Sequence, residues 1–103
     1  MLFRSSLRDA LQIIHDKKVG SALVVDEAGA IVGILTRYDV LSRVTLAQIS
    51  LDTPISTVMS RGVKTLTVED TAETAGLMMS RNHIRHLPVL RGNDIVGIIS
   101  ERD

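Results

Sequence analysis

The chain has 103 residues, 12 Lys and Arg against 12 Asp and Glu, and a formal net charge of zero. Zero net charge weakens a nucleic-acid or membrane-surface reading, since both usually need a basic face, and 2% aromatic residues leave few rings for bases to stack on. Cys is absent, which removes disulfides, iron–sulfur clusters and thiolate zinc sites.

Ten Ile, eleven Val and twelve Leu supply most of the 45% hydrophobic content. The length fits one small domain, or two very small subdomains sharing a core, and such a size gains from a partner. No apolar run is long enough to span a membrane. Met1–Ser6 lacks the apolar stretch of a signal peptide, so a cytoplasmic protein is the expectation.

Ser5 is expected to cap a first helix, in which Leu7, Ala10, Leu11 and Ile14 fall at i, i+3, i+4 and i+7 and form one apolar stripe. Ser21–Val25 and Ile31–Leu35 flank the turn residues Asp26–Ala30 and read as a β-hairpin. Leu41–Ser60 reads as a connector. Within it, Thr53-Pro54 starts a short helical turn with Pro at its first position, ending near Met59 before Arg61-Gly62.

Val63–Val68 alternates Val, Thr and Leu and predicts a strand. Asp70 with Glu73 predicts a capping box for a second helix, with Ala72, Ala75 and Met79 on its apolar stripe. Gly76 weakens that helix by about 1 kcal/mol relative to Ala. His86–Leu90 and Ile95–Ile99 flank Arg91–Asp94 and read as a second hairpin, and Ser100–Asp103 begins a final helix. The near-continuous apolar character of these strands predicts cover on both faces or burial in a small sheet.

The chain repeats itself. Ile31–Asp39 and Ile95–Asp103 share the pattern Ile-Val-Gly-Ile-apolar-Thr/Ser-x-x-Asp at an offset of 64 residues. Upstream, at an offset of 65, Val24-Val25 matches Val89-Leu90, Ala10 matches Ala75, and Ile13-Ile14 matches Met78-Met79. Thr36-x-x-Asp39 and Ser100-x-x-Asp103 stand where a strand meets a helix. Spacing alone leaves two readings open there: a helix capping box, or a polar site at a helix start.

These residues resemble a tandem pair of CBS domains, named after cystathionine beta-synthase and also called a Bateman module. The resemblance rests on the two endings Gly33–Asp39 and Gly97–Asp103, on Ile84–Val89, on Ala10 and Ala75, and on Pro54…Met59-Ser60. It implies an α/β (α+β) fold of two βαββα repeats packed with pseudo-twofold symmetry. The first strand of repeat one (Met1–Arg4) and the last helix of repeat two are short or missing. Residues 1–45 would form the first repeat, 46–60 a connector and 61–103 the second.

The resemblance also implies a regulatory module rather than an enzyme. An adenosine-containing ligand (AMP, ADP, ATP, S-adenosylmethionine or an NAD-type dinucleotide) would sit in the cleft between repeats. No cofactor is obligatory. The module would work as a homodimer and pass a conformational change to an effector protein or domain. Thr36 with Asp39, and Ser100 with Asp103, match the family's ribose motif, in which a carboxylate accepts from both ribose hydroxyls. Arg85 and His86 stand where basic residues reach phosphates, and Gly20-Ser21 at the matching place in repeat one carries no charge. Arg37 and Arg102 are secondary phosphate candidates, and Pro88 lies among the strand residues whose backbone reads adenine.

Other constellations lead nowhere. His15, His83 and His86 do not make a metal set. Ser80, His83 and Asp94 have no context supporting a catalytic triad. The alternative to ligand sensing is a ligand-free dimerisation module, or the regulatory fragment of a larger enzyme or transporter.

Overall fold

The structure, a computed structural model, describes residues 1–100. The chain divides into two compact units, Met1–Val63 and Lys64–Asp103. Among the described residues no helix is long and apolar enough to cross a membrane.

The first unit opens with Met1–Phe3 running parallel to the strand β1, Ser21–Val25, through a bridge between Leu2 and Val25. The amide of Val25 donates to the Met1 carbonyl at 2.8 Å and that of Phe3 to the Val25 carbonyl at 3.1 Å. The stub therefore supplies a short counterpart of a leading strand. Helix α1 spans Leu7–Lys17 and turns Leu7 and Ala10 fully inward, as its stripe predicts. Its cap is Ser6 rather than the expected Ser5: the Ser6 hydroxyl accepts from the Asp9 amide at 3.1 Å. Ser5 is engaged elsewhere, its carbonyl accepting from the Ile55 amide at 2.8 Å.

Strand β2, Ile31–Thr36, pairs antiparallel with β1, with Leu23 opposite Ile34 and a bulge between Val24 and Val25. At Thr36 the chain enters the short helix α2, Arg37–Asp39, which continues as a π-helical segment over Val40–Thr45. A single 3-10 turn follows at Ile55–Thr57. Pro54 is its extended cap residue, one place before the expected first helical position. Ser60 then closes the outer edge of β2 through an antiparallel bridge to Ile34. The core gathers Leu7, Ala10, Val24, Leu35, Val44, Ile55, Val58 and Met59.

The second unit holds a three-stranded sheet in the order β3-β4-β5. Strand β3 is Leu66–Thr67, much shorter than the predicted Val63–Val68. Its two residues pair parallel with Val89 and Leu90 of β4, His86–Arg91. Strand β5, Asp94–Ser100, returns antiparallel, with the bulge between Val89 and Leu90 repeating that of the first unit.

Helix α3, Ala72–Asn82, is capped by Thr71, whose hydroxyl accepts from the Thr74 amide at 3.1 Å. The Asp70–Glu73 capping box does not form. Asp70 instead accepts from the Thr67 amide at 2.8 Å and closes the turn out of β3, which leaves the cap to the next residue. Ala75 is buried and Met78 and Met79 pack beside it, but Ala72 is exposed and lies off the stripe. The core is small: Leu66, Ala75 and Leu87, with Ile84 and Val89 alongside. Cover on both faces holds for β2 and fails for β5, which is exposed from Asp94 to Ile99. The helix expected after Ser100 lies outside the described residues.

Candidate functional site

The Thr36–Asp39 turn is where the first unit concentrates polar chemistry. Thr36 ends β2 in an extended conformation and Arg37 begins the helix, so the Thr36 hydroxyl points into the helix start and accepts from the Asp39 amide at 3.2 Å. Asp39 answers: its Oδ2 accepts from the Thr36 amide at 3.0 Å and from the Thr36 hydroxyl at 3.1 Å. The capping reading that spacing left open is therefore realised at this pair.

Capping does not exhaust the carboxylate. Asp39 is 4% exposed, and its Oδ1 accepts from the Ser60 hydroxyl at 2.9 Å. The Arg43 guanidinium stands 4.0 Å from Oδ1, one helical turn further on. Arg43 also donates to the carbonyls of Val58 and Met59 at 3.3 and 3.2 Å. A buried carboxylate needs such partners, because removing an ionised group from water is costly unless charge and hydrogen bonds replace the hydration. Asp39 thus links the end of β2, the following helix and the Val58–Ser60 segment. Of its partners, sequence reasoning named Thr36 for the site and missed Arg43 and Ser60. The i,i+4 spacing of Asp39 and Arg43 was a usable signal. Ser60, 21 residues away, stood out only within the Pro54…Met59-Ser60 stretch, with nothing there to connect it to Asp39.

The other predicted residues fall as follows. Arg37 is exposed on α2. In the second unit, His86 is directly opposite Ser100 across the β4–β5 pair, with Arg85 one residue before it, so these three come together at one end of the sheet. The matching pair in the first unit is Ser21 opposite Thr36. His86 and Ser100 are half-buried and Arg85 is exposed. Pro88 is buried opposite Ile98. Arg102 and Asp103 lie outside the described residues.

Among the described residues no group of three or more His, Asp or Glu could hold a metal ion. On the outer side of α1, the Asp16 carboxyl is held below its ordinary range, first by the hydrogen bond with the His15 ring and then by that from the Gln12 amide.

Each unit thus carries a helix followed by an antiparallel hairpin with the same bulge, a leading stretch parallel to the hairpin's first strand, and a Thr/Ser at the end of its second. Duplicated βαββ units of this kind define a class of paired small-domain proteins. The chain belongs to the CBS domain family, whose model matches residues 4–45 and 55–103.

Its curated relatives include the CBS domain-containing protein YhcV of Bacillus subtilis, 31% identical over 98 residues, which cover 95% of this chain and 69% of that protein. Against others of similar identity the chain spans 59%, 33% and 23% of their length. Among solved structures, a CBS domain protein from Pyrobaculum aerophilum complexed with AMP superposes with a TM-score of 0.91 at 23% identity. The match covers 99% of this chain and 79% of that one. The CBS domain pair of the protein MJ0100, in complex with 5′-methylthioadenosine and S-adenosyl-L-methionine, gives a TM-score of 0.84 at 28% identity, covering 97% and 82%.

Proposed function

We propose that this CBS pair is a regulatory module that binds an adenosine-containing ligand and works as a homodimer. The observation that carries the reading is the buried Asp39 carboxylate at a strand-to-helix junction, with two of its hydrogen-bond donors being side-chain hydroxyls, those of Thr36 and Ser60. A ribose offers two vicinal hydroxyls that can take their place. Ligand binding is then an exchange of donors at one carboxylate, and it releases Ser60 from Asp39. A ligand shifts a conformational equilibrium by its differential affinity for the two arrangements, and this exchange supplies such a difference.

In the second repeat, Ser100 and Asp103 take the same role, with Arg85 and His86 facing the phosphates and Arg102 as a secondary phosphate contact, a part that Arg37 plays in the first repeat. Pro88 belongs to the strand whose backbone meets the adenine. The AMP complex and the methylthioadenosine and S-adenosylmethionine complex of the related structures support this ligand class. Tyr38, Leu41 and Leu46, exposed along one segment of the first unit, support a surface for a second subunit.

Calorimetry with AMP, ATP, S-adenosylmethionine and NADH tests the proposal. At least one is expected to bind saturably, and Asp39→Asn is expected to weaken it about tenfold or more, as loss of a charge-assisted contact does. A ligand at a hundredfold its Kd would add about 2.7 kcal/mol to the stability of the folded chain.

A second reading, a ligand-free packing module, is favoured by the fact that Thr36, Ser60 and Arg43 already satisfy Asp39. It predicts no heat and no thermal shift with any of the four compounds on a folded protein, and that result would overturn ligand sensing.

A further inference from the structure

The two hydroxyls that donate to Asp39 hold it in different ways. The Thr36 hydroxyl is bound twice, donating to Asp39 Oδ2 at 3.1 Å and accepting from the Asp39 amide at 3.2 Å. The Thr36 amide donates to the same Oδ2 at 3.0 Å. Breaking this set undoes the cap that joins β2 to α2. With two donors, Oδ2 has both of its lone pairs engaged.

Oδ1 is held differently. It accepts from the Ser60 hydroxyl at 2.9 Å, while the Arg43 Nε at 4.0 Å is beyond hydrogen-bond reach. Ser60 itself is pinned by its backbone. Its amide donates to the Ile34 carbonyl at 2.8 Å, and its carbonyl accepts from the Ile34 amide at 2.9 Å. Arg43 anchors the same segment through the carbonyls of Val58 and Met59 at 3.3 and 3.2 Å. The Ser60 side chain is half-buried and so has solvent to turn to. Its hydroxyl can leave Asp39 by rotation about χ1, with every backbone anchor intact.

We infer, given that Asp39 receives a ribose, that Ser60 is an internal competitor for the carboxylate: its hydroxyl stands where a ribose hydroxyl binds and sets the affinity of the site. Thr36 stays on Asp39 in both states, so the exchange is confined to Oδ1. An incoming hydroxyl must displace one already in place, and part of its binding free energy is spent there. Removing the Ser60 hydroxyl removes that cost, but leaves a buried carboxylate short of a donor. The free chain then loses stability while the ligand gains affinity. A serine that only shaped the site would lower both.

The probes are AMP, ATP, S-adenosylmethionine and NADH, whose adenosine riboses carry both hydroxyls. They are titrated calorimetrically into the parent chain, Ser60→Ala and Ser60→Thr. A compound that binds the parent is expected to bind Ser60→Ala about tenfold more tightly, the worth of one hydrogen bond to a charged group. The thermal midpoint of unliganded Ser60→Ala is expected to fall. Ser60→Thr keeps a hydroxyl and is expected to bring both values back toward the parent. A second measurement needs no variant. Saturating the parent with the same compound is expected to change the Ser60 Hα–Hβ couplings, which report χ1, while the Ser60 and Ile34 amides stay protected from exchange. Unchanged couplings, or equal or weaker binding by folded Ser60→Ala, would overturn the inference and leave the ligand reading standing. Failure of all four compounds to bind any of the three chains would overturn both.

Discussion

Gly33 and Gly97 show how one residue type in one motif comes to different physical ends. Adding a methyl group at Gly33 drives it into Met59 and to 3.0 Å from the Ser60 carbonyl, where backbone has little room to yield. Gly33→Ala is therefore expected to destabilise the chain by about 1–3 kcal/mol, the usual cost of overpacking a filled site. Gly97→Ala meets open space among the described residues and is expected to stay within about 0.5 kcal/mol of the parent. Urea denaturation of the two variants checks the contrast, and equal losses would contradict it. Thr36, Asp39 and the two glycines were legible in the sequence because each sits in a short local pattern repeated twice. What closes around them was not: Met59 and Ser60 reach this turn through tertiary packing, which spacing along the chain does not encode.

The elements themselves were largely legible, since β1 has the expected bounds, β2 and β4 run one residue longer at one end, and β5 one residue longer at each end. Their caps were not, and the reason is competition for backbone groups. Ser5 and Ser6 have equal capping chemistry, and the Ile55 amide decides between them by engaging the Ser5 carbonyl. Asp70 loses the cap because the Thr67 amide takes its carboxylate. Strand β3 keeps only the two residues that pair with β4, Leu66 and Thr67, and the Asp70 turn sets its C-terminal end.

Both helices end in the same way. Lys18 and His83, at matching repeat positions, close α1 and α3 in the left-handed region with φ of 55° and 54°. Glycine is the residue that enters this conformation without a steric penalty, and both side chains are exposed. Lys18→Gly and His83→Gly are each expected to stabilise the chain by about 1 kcal/mol, read as a higher thermal midpoint. A lowered midpoint in both variants would show that the side chains contribute more than the backbone strain costs.

At the scale of the whole molecule the two units differ in how much core they own, although their sequences repeat. Met1–Val63 buries Leu7, Val24, Leu35 and Ile55 completely and adds the Asp39 network. It also ties distant segments together, with the amides of Leu7 and Arg8 donating to the carbonyls of Thr53 and Leu51 at 2.8 and 2.9 Å. Lys64–Asp103 has Leu66, Ala75 and Leu87 at its centre and leaves β5 open. Domains of about 60 residues can fold alone, whereas those near or below about 40 need an additional source of stability. A fragment of residues 1–63 is therefore expected to give dispersed amide resonances and a cooperative thermal transition. A fragment of residues 64–103 is expected to give neither by itself. If the second fragment melts cooperatively alone, its exposed β5 surface is tolerated rather than waiting for cover.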